Sequence, residues 1–155
     1  MKKFKKNINS FLCFALYTAI LFVSALLLKE WAIDTYFDNP HYTNSIFSIE
    51  YILNEGAAFG LLQQQSALLC GVAAFMLCMI SCYVFNKGKK TTNFERFTLA
   101  MICAGIISNT LERLKIGAVI DYINLNFINF PIFNIADIFI CLGIFLFLIA
   151  IFFKR

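Results

Sequence analysis

The chain has 155 residues, of which 61% are hydrophobic and only 14% charged, with a mean hydropathy of +0.77. That leaves too little polar surface to coat a water-soluble globule, so the composition points to an integral membrane protein. The formal net charge of +4 comes from short basic clusters without the interleaved aromatic residues of a nucleic-acid surface, which excludes nucleic acid as a partner.

Lys2, Lys3, Lys5 and Lys6 precede an uncharged run from Asn7 to Leu28. The run is longer than the roughly 7–15 residues of a cleaved signal peptide's apolar core, so it reads as an uncleaved first span over about 8–30. Its start lies on the basic, cytoplasmic side. The segment 31–65 then carries acids and no Lys or Arg, which marks it as extracytoplasmic. Within it Phe47, Ile49, Tyr51 and Leu53 alternate with Ser48, Glu50, Ile52 and Asn54, a period of two that predicts a short strand with one apolar face. Asn54-Glu55-Gly56 supplies turn chemistry after it. His41, alone beside Pro40, reads as a loop residue and not as a metal ligand.

A second span covers about 66–86 and ends in Lys87-Gly88-Lys89-Lys90, a basic cytoplasmic loop. A third covers about 94–114, entered at Glu95 and Arg96, and a fourth about 134–153, closed by Lys154-Arg155. The expected fold is a single membrane domain, 1–155. It is an all-α bundle of four transmembrane helices with a small extracytoplasmic β element and both termini cytoplasmic. The segment 115–133 then lies on the outer side. Six cysteines, Cys13, Cys70, Cys78, Cys82, Cys103 and Cys141, all fall in apolar runs without a CxxC pair, so they read as buried filler. No metal or other cofactor is expected.

Two acids stand out against this background. Asp121 sits in the apolar run Gly117-Ala118-Val119-Ile120-Asp121-Tyr122, and Asp137 opens the last span in Asn134-Ile135-Ala136-Asp137. A charge at membrane depth costs about 2.5–3.5 kcal/mol even on the lenient insertion scale, so carboxylates there call for a use. The plain readings are a solvated loop residue for Asp121 and a helix cap for Asn134 with Asp137. Brought together in a partly dry site, the two acids would repel double ionisation and share a proton. One member would then take a proton from water as the other donates one to a substrate oxygen or amine.

These residues also resemble a family. Asn54-Glu55-Gly56-Ala57-Ala58-Phe59-Gly60, Asn109 through Arg113, Gly117 through Tyr122 and Phe133 through Asp137 are similar, in the same order, to the motifs of lipoprotein signal peptidase, also called signal peptidase II. The resemblance spans all four predicted helices. It implies a bacterial intramembrane aspartyl endopeptidase of the cytoplasmic (inner) membrane, working as a monomer with its site toward the extracytoplasmic side. Its substrate would be a diacylglyceryl-modified prolipoprotein, presented from membrane lipid and cleaved on the amino side of the lipidated cysteine. Asp121 and Asp137 are the implied catalytic pair, and Asn54, Asn109, Arg113 and Asn134 are implied to line or brace the site. Asn54 is expected to bind the substrate backbone.

The sequence departs from the family's pattern at three places. Glu112 stands where an Asp is usual, and Ala25 and Leu28 stand where the first span usually has an Asp and a Ser or Thr before Lys29. Lys29 thereby loses a carboxylate partner, and Glu30 is its nearest substitute in sequence. A catalytically weak lipopeptide-binding relative is the alternative these departures raise. A small proton-coupled transporter is a further one, disfavoured because the first span has no acid between Asn7 and Leu28.

Overall fold

A computed structural model describes residues 2–36, 43–57 and 60–153. His41, Ala58, Phe59, Lys154 and Arg155 lie outside the described residues. The elements in order are α1 (Lys2–Tyr36), β1 (Phe47–Asn54), α2 (Ser66–Lys87), α3 (Asn93–Ile116), β2 (Val119–Leu125) and α4 (Ile135–Phe152). All four helices are long and apolar enough to cross a membrane.

The helices are not equivalent. Over half of α3's most apolar window is buried inside the protein, against about a tenth or less for the other three. This makes α3 the central post, with α1, α2 and α4 showing most of their Leu, Ile, Phe and Met side chains to lipid. Phe14, Val84, Leu99, Ala100, Ile102 and Cys103 form the buried core where α1, α2 and α3 meet. The cysteine expectation needs correction: Cys103 is buried, but Cys78, Cys82 and Cys141 are exposed on the bundle surface. An apolar environment in a membrane is supplied by lipid as well as by protein, so a hydrophobic run does not say which way a thiol points.

Small residues let α3 and α4 approach closely. A Cβ added at Gly105 would come within 2.3 Å of the Ala136 carbonyl oxygen and 2.7 Å of Ile140 Cγ1, and one at Gly143 would meet Ile102 and the Thr98 carbonyl. Packing of this kind drives helix association where lipid removes the hydrophobic contrast. Ala136 precedes Asp137 and Gly105 lies one turn before Asn109, so the contact also places those two side chains opposite each other. Gly105→Ala is expected to force the helices apart and cost about 1–3 kcal/mol, the usual range for overpacking. Thermal melting in detergent checks this beside Gly71→Ala, which has open space around it and should melt as wild type does.

The sheet has two strands. β1 forms as predicted, and β2 pairs with it antiparallel, with Ile52 opposite Asp121, Leu53 opposite Ile120 and Asn54 opposite Val119. The register is irregular between Ile49 and Ile52, which breaks the strict alternation read from sequence. In consequence Ser48 is buried while Tyr51, Ile52 and Leu53 are all exposed. β2 is a strand where only a connecting segment was expected. Gly117, at φ +79°, turns the chain from α3 into it. Ser66 at the start of α2 donates its hydroxyl to the Gly117 carbonyl, tying a second helix to that corner.

Candidate active site

Each candidate side chain is delivered by a separate local device. Asn54 and Asp121 arrive on facing strands, and Asn54 Nδ2 donates to Asp121 Oδ2 at 2.8 Å. Beyond β2 the chain loops back so that Phe133 bridges Ile123, with Ile123 N–H donating to Phe133 O at 2.8 Å and Phe133 N–H to Ile123 O at 3.1 Å. That strap sets the next residue, Asn134, beside Asp121.

Asn134 is fully buried and connects the two acids. Its Oδ1 accepts from the N–H groups of Ala136 (2.8 Å) and Asp137 (3.2 Å), capping α4. Its own N–H donates to Asp137 Oδ2 at 3.0 Å, which closes a capping box. Its Nδ2 donates to Asp121 Oδ1 at 2.7 Å and to Asn109 Oδ1 at 3.2 Å. Asn109 Nδ2 in turn donates to Asp137 Oδ1 at 2.8 Å. The cap and the paired-acid readings of Asp137 are therefore one arrangement and not alternatives. Every carboxylate oxygen of the two aspartates receives a donor, so both side chains are held in fixed orientation.

The remaining candidates sit around this core. Arg113 Nη2 donates to the Gly56 carbonyl at 2.7 Å, pinning the turn after β1 to α3. Asn54 Oδ1 accepts from Gly56 N–H at 3.0 Å. The Asn54 amide thus engages Asp121 and its own turn, with one Nδ2 hydrogen and one Oδ1 lone pair to spare on the cavity wall. Lys29 pairs with Glu112 at 2.6 Å, and Glu30 is not its partner. On a helix Glu30 lies a rotation of about 100° from Lys29, so it is exposed while Lys29 is buried. Tyr122 was not singled out from sequence. It is buried, and its hydroxyl oxygen accepts from Ile135 N–H at 3.4 Å, holding the start of α4 against β2. Its place beside Asp121 in an aromatic and β-branched run was the available signal.

Asp121, Asp137, Asn54, Asn109 and Arg113 all line one cavity of about 740 Å³. The rest of its wall is mostly apolar, with Ile52, Leu53, Phe130, Ile132, Ile138 and Cys141, and adds Glu55 and Gln63. A greasy cleft with a few convergent polar groups is the usual form of a ligand site. Among the described residues no cluster of His, Cys, Asp or Glu has the makings of a metal site.

Burial pushes the Asp121 carboxyl up to about 6, helped by the charge of Asp137 and opposed by the Asn54 and Asn134 hydrogen bonds and by Lys29. The folded protein therefore holds this proton more tightly than the unfolded chain, whose aspartate titrates near 3.8. The stability contributed by protonated Asp121 is complete below 3.8 and is lost as pH rises through about 6. Asp121→Asn, neutral at every pH, is expected to melt above wild type at neutral pH and to lose that advantage at about pH 4. Paired melting curves in detergent at the two pH values check it, and an equal gain at both would sink the assignment.

The comparisons with known proteins agree with one another. The family model for signal peptidase (SPase) II matches residues 17–153. The lipoprotein signal peptidase of Streptococcus agalactiae serotype Ia is 33% identical over 136 residues, covering 86% of this chain and 88% of its own. That of Clostridioides difficile strain 630 is 32% identical over 131 residues, covering 83% and 87%. Two solved bacterial membrane enzymes, determined by the in meso method at 2.3 and 1.9 Å, share the fold. The first has a TM-score of 0.78 at 23% identity, covering 90% of this chain and 87% of that one. The second has a TM-score of 0.76 at 25% identity, covering 92% and 94%.

Proposed function

This chain belongs to the signal peptidase II family, and from that membership we propose that it is an aspartyl endopeptidase that removes signal peptides from diacylglyceryl-modified prolipoproteins. The observation that carries the aspartyl assignment is the joining of Asp121 and Asp137 through Asn134 on the wall of one cavity. Four features support the substrate: the family, an apolar cavity wall, a bundle that faces lipid on most sides and a pair of acids at one end of it.

Asp121, whose proton is held up to about 6, is the acid of the pair. Asp137, at the positive end of α4 and accepting two N–H donors, is the base. Asp137 takes a proton from water as the water oxygen attacks the scissile carbonyl, and Asp121 gives its proton to the carbonyl oxygen. In the second step the tetrahedral intermediate returns a hydroxyl proton to Asp121, the C–N bond breaks, and Asp137 passes its proton to the leaving amine. Both acids end as they began, and no covalent intermediate with the enzyme forms.

The basic clusters at both ends and after α2 support a topology with both termini in the cytoplasm and the dyad on the extracytoplasmic side. Family membership sets aside the transporter. Against the weak-relative alternative stands the Lys29–Glu112 pair, which supplies a counter-ion for Lys29 where Ala25 offers none. The deciding experiment is turnover of a purified diacylglyceryl-modified prolipoprotein by this protein in detergent. Release of a product beginning at the lipidated cysteine is expected, while binding without cleavage would overturn the proposal.

A further inference from the structure

We propose that Glu112 and Lys29 form a positioning latch for Asp121, in which Glu112 holds the strand that carries the acid and Lys29 holds Glu112. The inference rests on the reading of Asp121 as catalytic and adds two positioning residues to it.

Three elements meet at the latch. Lys29 comes from α1 and Glu112 from the last turn of α3, and both side chains are withdrawn from solvent, at 4% and 14% exposure. The Glu112 oxygen that meets Lys29 also accepts the main-chain N–H of Ile120 at 3.0 Å. Ile120 immediately precedes Asp121, so the clamp acts one peptide from the carboxylate. It also acts on strand pairing: Ile120 faces Leu53, beside Asn54, whose amide orients Asp121.

An acid at this place is costly without such a role. It opposes the negative end of the α3 dipole, next to Arg113 and Lys115, which suit that end. It is also largely desolvated, which an ion pair repays only when further hydrogen bonds complete it. The α1 side leaves Lys29 with no other carboxylate in reach. Ala25, one turn earlier on the same face, is fully buried and apolar, while Leu28 and Glu30 are exposed. The longer reach of Glu over Asp at position 112 and the apolar residue at position 25 thus belong together.

Lys29 has a second effect. Its charge favours ionised Asp121, against burial and against Asp137 from α4. Arg113 from α3 and Glu55 from the turn after β1 line the same cavity as Asp121, and Tyr122 from β2 feels the charges of both Glu112 and Asp121. Removing the lysine charge therefore moves the titration of Asp121 upward.

The test compares wild type with K29M/E112M and K29M/E112Q, which remove both charges together and so leave no buried ion unpaired. Only the Gln variant keeps an oxygen for Ile120 N–H. In K29M/E112M, kcat is expected to fall about 10²-fold, the usual scale for a small misplacement of a reacting group, with KM little changed. Hydrogen–deuterium exchange over residues 119–125 should become faster in the same variant. K29M/E112Q should recover part of kcat and most of the protection. Wild-type kcat, exchange and pH profile in K29M/E112M would overturn the latch and reduce the pair to helix packing. If that variant does not fold, wild-type kcat together with wild-type exchange over 119–125 in K29M/E112Q, which has lost the hold of Lys29 on residue 112, overturns the proposal by itself. Absence of cleavage by wild type would instead count against the proposed function, and exchange over 119–125 would still judge the latch.

Discussion

Asp121→Asn and Asp137→Asn should each abolish cleavage of a lipid-modified prolipoprotein, with kcat down at least about 10³-fold and substrate binding largely retained. General acid–base steps contribute 10²–10⁴-fold, and in a shared-proton pair neither acid works alone. Asn keeps each side chain's shape and the neutral state of the protonated acid, with one oxygen for one of the two donors that now hold it, from Asn54 and Asn134 on one acid and from Asn109 and the Asn134 main chain on the other. The fold should survive the loss of one accepted hydrogen bond, while the ability to gain and lose a proton goes. Single-turnover cleavage, beside binding of the uncleaved lipopeptide, separates the two effects. Either variant cutting at near the wild-type rate would refute the dyad.

Asn134 should be nearly as sensitive, for a reason that can be dissected. Its Oδ1 starts α4 and its Nδ2 reaches Asp121 and Asn109. Asn134→Ala loses both functions: the cap, worth about 1 kcal/mol, and a donor to a buried carboxylate, whose loss costs about 1–3 kcal/mol. Asn134→Ser keeps a capping oxygen but cannot span to Asp121. The Ser variant is expected to melt above the Ala variant by the worth of the cap, about 1 kcal/mol, and yet lose turnover as the Ala variant does, about 10²-fold or more in kcat. A Ser variant with full activity would show that the bridge between the acids is dispensable.

The parts of the molecule set by local chemistry were legible in the sequence. Four apolar runs gave four helices, Asn134 with Asp137 three residues on announced a capping box, and the alternation from Phe47 to Asn54 announced β1. β2 was overlooked because Asp121 drew attention as a charge, although Val119, Ile120, Tyr122 and Ile123 around it are strand-forming residues. β1 itself demanded a partner, since a lone strand has nothing to pair with. Asn54 could be recognised as a site residue but not given its bond to Asp121, because that depends on a register set by a bulge. The Lys29–Glu112 pair joins residues far apart in sequence through the packing of α1 on α3, which no local pattern encodes. The lipid-facing cysteines were misjudged for a similar reason: periodicity is silent on direction when both sides of a helix are apolar.

The way Asn134 ties Asp121 to Asp137 bears on the order in which the protein becomes active during synthesis. A ribosome delivers α1, β1, α2, α3 and β2 before the cap of α4 exists, so Asp121 waits with a missing partner until the final helix is in place. A chain halted anywhere earlier holds at most one of the two acids and no bridge. Hydrolytic capacity thus arrives in a single late event, coincident with completion of the bundle, and a half-inserted copy has no means to cut its neighbours at the insertion site.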